Sequence, residues 1–396
     1  MGKIAVTGMG IISSIGNSVG ENLHALLNSQ TGISRIDNIE TNHRNEIMVG
    51  EIKKSNAEFH SLLGLPPGNN YTRTALLGVI AARQAVADAG ITDMNEYRTG
   101  LISATSVGGM DMTERFFYDY LATDENRRYI HSNDAADSSK KIAEHLGLDG
   151  LVTTISTACS SSANAIMLGA RLIKSGQLDR VIVGGTDALS KFTINGFKTL
   201  MILSDTENTP FDANRKGLNL GEAAAYLILE SDEIIQKTGK RVLAYVSGYG
   251  NANDAFHQTA SSDNGEGAFL AMQKALKVAN LNASEIDYIN AHGTATPNND
   301  LSEGRAIERI FETMPEFSST KPFTGHTLAA AAAVEAVYSI LALQNNVVFP
   351  NLNFGTPMPE FNLIPQTVLK EKTINHVLSN SFGFGGNCST VIFSKN

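Results

Sequence analysis

The feature that most constrains this chain is a strand-and-helix alternation that runs once and then runs again. Residues 4–7, 100–104, 151–156 and 180–184 read as strands. Residues 74–89 and 163–175 read as helices, stopped by Gly90 and Gly176. Further on the scheme repeats, with strands at 242–248, 286–290 and 376–380, the last closing the sheet, and helices at 267–279 and 327–343. The passage ALLGVIAARQAVADAGI to TGLISAT parallels FLAMQKALKVANL to DYINAH, which points to an internal duplication. Such alternation specifies an α/β protein. The charged segment 230–241 is the expected seam, dividing the chain into halves 1–238 and 239–396, and 40–67 and 111–141 read as insertions on the first half.

Several function classes are disfavoured at once. A chain of 396 residues can bury a large core without disulfides or metal. Its two cysteines, Cys159 and Cys388, stand far apart, which excludes a disulfide framework and a cysteine-rich zinc site and fits a reducing cytoplasm. A formal charge of −9 with no basic tract argues against nucleic acid as a partner. The opening MGKIAVTG is broken by glycine too soon to be a secretory signal. The most apolar stretch, 328–343, carries Glu335 and falls short of the ~20 residues of a bilayer span. It is expected to be a helix buried in protein, without membrane insertion. Thirty-five glycines, nearly one residue in eleven, exceed the usual ~7% and demand turns or close backbone approaches.

Four segments concentrate reactive groups. Cys159 lies in Thr157-Ala158-Cys159-Ser160-Ser161, between an apolar strand and an alanine-rich helix. A cysteine at a helix N-terminus is placed to be an activated thiolate nucleophile; the alternative is an inert buried cysteine. His292 sits in Asn290-Ala291-His292-Gly293-Thr294, at the carboxyl end of a strand, where open α/β sheets place their sites. His326 follows Lys321-Pro322-Phe323-Thr324-Gly325 and leads into the second alanine-rich helix. Each histidine alone reads equally as a structural residue. The fourth segment, Ser381-Phe382-Gly383-Phe384-Gly385-Gly386, does not suit a packed strand interior; it reads as a glycine-rich turn or as a mobile gate with backbone N–H groups free to bind an oxyanion.

Cys, His and His in this order on two halves resemble the thiolase superfamily. The residues are closer still to the β-ketoacyl-[acyl-carrier-protein] synthases of type II fatty acid synthesis. The resemblance spans the chain from KIAVTGMGIISSIG to SNSFGFGG and includes TACSSS, RVIVGGTDA, TPFDANRKGLNLGEAAAYLILE, NAHGTAT and GHTLAAAAAVEA. It implies a duplicated, layered αβαβα fold of two pseudo-symmetric halves. It implies that Cys159 receives an acyl chain from a phosphopantetheine thioester on acyl carrier protein, with no resident cofactor. His292 and His326 would bind the malonyl thioester carbonyl as neutral Nε2–H donors during decarboxylation, and Lys321 would organise them. The N–H groups of Cys159 and Phe384 would form an oxyanion hole, with Phe384 also the gate. Thr294 and Thr296 would hold the pantetheine arm, Phe382 and Val107 would bind substrate, and Val107 leaves room for medium or long acyl chains. Asp300, Glu303 and Glu335 would support the network.

The resemblance further implies a homodimer and a carrier-protein surface, with Arg127, Arg128 and Arg215 as candidates. The chain departs from the usual GHTLGAAG, GFGGTN and GEGAG at Ala329, at Asn387-Cys388 and at Ala223-Ala224-Ala225. These departures leave a polyene or polyketide-like pathway open beside fatty acid synthesis. A thiolase using a second cysteine and a non-catalytic chain-length partner are the rival readings. Cys388 follows the glycine loop and is expected to stand apart from the chemistry.

Overall fold

The computed structural model describes residues 2–395. Ten strands form one sheet: β1 Ile4–Ile12, β2 Thr99–Ala104, β3 Leu151–Ile155, β4 Arg180–Asp187, β5 Ala223–Ser231, β6 Ala244–Asn253, β7 Tyr288–Asn290, β8 Glu316–Ser318, β9 His376–Gly383 and β10 Asn387–Ser394. Their order is β8-β7-β9-β10-β6-β1-β5-β4-β2-β3. In the first half β3, β2 and β4 run parallel, and β5 and β1 continue antiparallel. The second half repeats this with β8, β7 and β9 parallel, then β10 and β6 antiparallel. The half-sheets meet where Ala5 and Val6 of β1 pair with Tyr245 and Ala244 of β6.

Glycine spacing in β1 and β6 shows why the halves pack alike. Helix α1, Arg73–Asp88, lies so close on β1 that a Cβ at Gly8 or Gly10 would fall 2.3 or 2.1 Å from the Ala85 or Ala81 carbonyl. Numbering helices in chain order, α2 is Ser161–Lys174, α3 Lys191–Thr199 and α4 Glu266–Ala279. Helix α4 meets Gly248 and Gly250 of β6 the same way, at 2.4 and 2.1 Å from the Ala275 and Ala271 carbonyls. Part of the glycine excess is thus spent on two helix-to-strand contacts that no side chain permits.

Helices α5, Pro297–Ile310, and α6, Ala331–Asn345, complete the layers. Between the half-sheets, α2 and α6 share one apolar core with residues of both halves, including Ile102, Val183, Leu227, Val377 and Val391. A second core lies under α1, and a third under α4 and α5. Helix α6 is buried along its whole face from Ala331 to Leu343. The stretch Leu328–Asn345 is long and apolar enough to cross a membrane, yet 89% of it is buried inside the fold, as an all-round apolar core helix must be.

Some expectations are corrected. The helix expected from residue 327 starts only at Ala331, after a 3₁₀ turn at Leu328–Ala330, since Leu328 at a φ of +55° cannot belong to a right-handed helix. The strand at 376 does not close the sheet: it extends to Gly383 and turns back into β10. Phe382 and Gly383 are therefore buried strand residues, and only Phe384–Gly386 forms the turn. Glu230, assigned to the seam, lies within β5 and makes a buried ion pair with Arg180 at 2.7 Å. The rest of that segment holds the helix Asp232–Thr238.

Candidate active site

The carboxyl ends of the parallel strands in both halves open onto a cavity of about 250 Å³. Cys159, His292, Thr294, Thr296, His326, Phe382 and Phe384 all line it, and among the described residues no Asp, Glu, Lys or Arg does.

Cys159 is presented by a sharp elbow after β3. Ala158 adopts a φ of +53°, a conformation costing ~1–2 kcal/mol for a residue with a Cβ. The small hydroxyl residues around it hold the turn. Ser161 Oγ accepts from the Thr157 N–H at 2.8 Å and donates to the Ala158 carbonyl at 2.5 Å. Ser160 is the cap residue of α2, so Cys159 stands just ahead of that helix. Burial pushes its thiol up to about 11, opposed by the Lys321 charge and by hydrogen bonds from the N–H groups of Phe384 and of Cys159 itself. The expected resting thiolate is thus corrected: in this dry site desolvation outweighs the helix terminus. The same two N–H groups, one from each half of the chain, converge on the Cys159 sulfur.

His292 follows β7. Its backbone N–H and that of Gly293 donate to the Glu303 carboxylate at 2.9 and 2.8 Å, and Asn380 Nδ2 donates to the same group at 3.1 Å. Lys321 Nζ donates to the His292 carbonyl at 2.5 Å, lies 3.2 Å from His292 Nδ1, and pairs with Glu335. His326 Nδ1 accepts from the Leu328 N–H at 3.0 Å, which leaves the ring proton on Nε2. The two imidazole rings lie 5.5 Å apart, edge to face. Burial, then the Lys321 charge, lowers His326 to about 3 and His292 well below its ordinary value. Both rings are neutral at pH 7, and each presents an N–H as a donor. Burial pushes Glu303 and Glu335 up to about 7, against the donated N–H groups in one case and Lys321 in the other.

The remaining expected residues divide. The Thr294 and Thr296 hydroxyls lie 2.9 Å apart on the cavity wall. Phe382 stands edge-on to His292 at 5.6 Å, and Phe384 stacks on Phe197 at 6.1 Å. Asp300 is buried and accepts from the Phe211 and Ala295 N–H groups at 2.8 and 3.1 Å. Val107 is not part of the lining; it packs on the apolar cluster whose member Leu218 is. Arg127 and Arg128 are exposed, the first paired with Asp124 and the second over the Tyr129 ring. Arg215 is corrected: its side chain is only 8% exposed, and it donates to the Asp212 and Pro297 carbonyls at 2.9 and 2.6 Å. It fastens the start of α5 and offers no face to a carrier protein. Cys388 is corrected too. Pairing of β9 with β10 sets it opposite Phe382, and it lines the cavity with a thiol that burial raises.

Asp187 was not singled out. It is buried at the end of β4, where it accepts from Thr105 Oγ1 at 2.6 Å and from the Ser106 and Ala329 N–H groups at 3.0 and 2.9 Å. An aspartate after two glycines at a strand's carboxyl end was the available signal.

The beta-ketoacyl synthase N-terminal domain matches residues 1–234, and the beta-ketoacyl synthase C-terminal domain matches residues 243–355. A 3-oxoacyl-[acyl-carrier-protein] synthase 2 of Staphylococcus aureus is 33% identical over 99% of this chain and 98% of its own length. Among solved structures, the ishigamide ketosynthase/chain length factor superposes with a TM-score of 0.93 at 30% identity, covering 100% of this chain and 99% of that one. A type II PKS acyl-carrier protein in complex with its ketosynthase matches with a TM-score of 0.88 at 26% identity, covering all of both chains. With both domain models, a full-length relative and the thiolase-like fold in agreement, the chain belongs to the beta-ketoacyl synthase family.

Proposed function

We propose that the protein is a 3-oxoacyl-[acyl-carrier-protein] synthase acting in fatty acid synthesis or a related polyketide-like pathway. One observation carries this reading: an intact Cys159 shares a charge-free cavity with two buried, neutral imidazoles. The Cys159 sulfur attacks the thioester carbonyl of an acyl chain on phosphopantetheine. The N–H groups of Cys159 and Phe384 receive the oxyanion, and the pantetheine sulfur departs with the proton that Cys159 gives up. Malonyl thioester then binds with its carbonyl oxygen toward His292 and His326. Loss of CO₂ leaves its electron pair in an enolate that the two N–H donors stabilise, an interaction made chiefly in the transition state. The enolate carbon attacks the acyl-Cys159 carbonyl, the C–S bond breaks, and Cys159 regains a proton as the 3-oxoacyl chain leaves.

No resident cofactor is required by this scheme, and a cytoplasmic location fits its unpaired cysteines. The acyl carrier protein is the partner that delivers both substrates. Its docking surface lies at the cavity mouth, where Met201 is 88% exposed, with Arg127 and Arg128 as outlying charges. A homodimer is supported by β3, an edge strand paired on one side only, and by the exposed Phe117, Tyr118 and Leu121 in the 111–141 insertion. A related chain-length chain is the second reading for the partner subunit, since one structural relative is a ketosynthase/chain length factor. Mass spectrometry of Cys159 after incubation with acyl-carrier proteins, together with CO₂ release from malonyl-carrier protein, tests the function. Absence of both from folded protein would sink it.

A further inference from the structure

Asn387 begins β10, immediately after the Phe384–Gly386 turn. Its side-chain carbonyl accepts from Ser160 Oγ at 2.8 Å, from Asn164 Nδ2 at 2.9 Å and from Asn251 Nδ2 at 2.9 Å. Ser389 Oγ stands farther off at 3.4 Å. Convergence of two amide donors on one oxygen fixes which way the Asn387 amide is turned.

Two of these donors follow the catalytic cysteine in the chain and the third stands on the neighbouring strand. Ser160 follows Cys159 directly. Asn164, one turn into α2, also donates to Thr157 Oγ1 at 2.9 Å, on the other side of the cysteine. Asn251 of β6 bridges onward to Asn164 Oδ1 at 3.1 Å and Ser389 Oγ at 3.0 Å. The result is an uncharged network with Asn387 at its centre, tying the elbow that bears the Cys159 N–H to the turn that bears the Phe384 N–H. None of the hydrogen bonds holding His292 or His326 among the described residues passes through it.

We propose that Asn387 is a positioning residue for one half-reaction, holding the Cys159 and Phe384 N–H groups at the spacing an acyl oxyanion needs. A hole built from two backbone segments is only as well formed as the link between them, and donors aimed at developing charge lose effect with small displacement. The proposal rests on the synthase reading and deepens it: Asn387 serves acylation of Cys159, while malonyl decarboxylation at the histidines proceeds without it.

The two half-reactions are measured separately on purified full-length protein. Transfer from acyl-carrier protein to Cys159 is followed by intact mass, and CO₂ release is followed from malonyl-carrier protein without acyl donor. In Asn387→Leu, acyl transfer is expected to fall about tenfold to hundredfold, with decarboxylation held within about threefold. Asn387→Asp keeps an acceptor oxygen for the same donors and should recover most of the transfer rate. Ser160→Ala, a milder change that cuts the bridge beside Cys159, should show the same selective loss and covers the case in which Asn387→Leu does not fold. Parallel loss of both half-reactions, or unchanged transfer in these variants, overturns the proposal. Wild-type protein that performs neither half-reaction overturns the synthase reading instead.

Discussion

The two half-sheets share one strand pattern, yet they arm equivalent positions with different chemistry. Chain leaving the outer parallel strand reaches Cys159 before α2 in the first half and His326 before α6 in the second. After the middle strand stand Ser106 and Val107 in one half, His292 and Gly293 in the other. Each half then fixes its loop with a buried carboxylate that gathers backbone N–H groups: Asp187 takes those of Ser106 and Ala329, and Glu303 those of His292 and Gly293. The lesson is a division of labour. In the proposed reaction the first half supplies the nucleophile and its own N–H, the second supplies the imidazole donors and the Phe384 N–H, and the frame brings them to one cavity.

Five substitutions break or sharpen that comparison. Cys159→Ser disarms the first half alone. Acyl transfer and chain extension should fall by roughly 10⁴-fold, with CO₂ release from malonyl-carrier protein retained. His326→Ala is the converse: decarboxylation is expected to drop ~10²–10³-fold, with Cys159 still acylated in the intact-mass assay.

Glu303 sharpens the contrast through pH. Its folded carboxyl titrates at about 7 against an ordinary 4.5, because burial favours the protonated form. The folded protein therefore binds more protons than the unfolded chain between these values, and stability falls as pH rises through the window. The total decline across the window amounts to on the order of 3 kcal/mol. Glu303→Gln should flatten the decline in urea-melt stability from about pH 4.5 to 7; an unchanged slope would assign it to other groups.

The smallest effects separate the arginines. Arg215→Ala removes buried donors from two carbonyls and should cost ~1–2 kcal/mol in urea melts. It should also raise KM for pantetheine substrates. Arg128→Ala should leave stability within ~0.5 kcal/mol and act only on carrier-bound substrates.

Much of this arrangement was legible before the structure. The helices at α1, α2 and α4 and the reactive Cys159, His292 and His326 announce themselves by periodicity and by small residues at strand ends. The duplication was visible in helix-to-strand spacing, but its plainest trace was overlooked: VTGMG in β1 and VSGYG in β6 place paired glycines under equivalent helices. Arg215 and Val107 could not be placed, because motif position fixes a backbone location and not the direction in which a side chain is buried. The thiol of Cys159 was misjudged for a related reason. Helix termini can be read from sequence, whereas dryness depends on everything folded around the sulfur. Asn387 looked like a lost threonine and became intelligible only when its three donors, far apart in the chain, stood around it.

The pairing of β1 with β5 has a consequence for how the protein is made. Ile4 pairs with Ser231, so β1 waits through the synthesis of more than two hundred residues for its neighbour. At ordinary translation speeds that is on the order of ten to forty seconds. Throughout that interval a nine-residue strand that ends up wholly buried is exposed without its sheet. Slowing translation ahead of residue 231 should lengthen that interval and the exposure that goes with it.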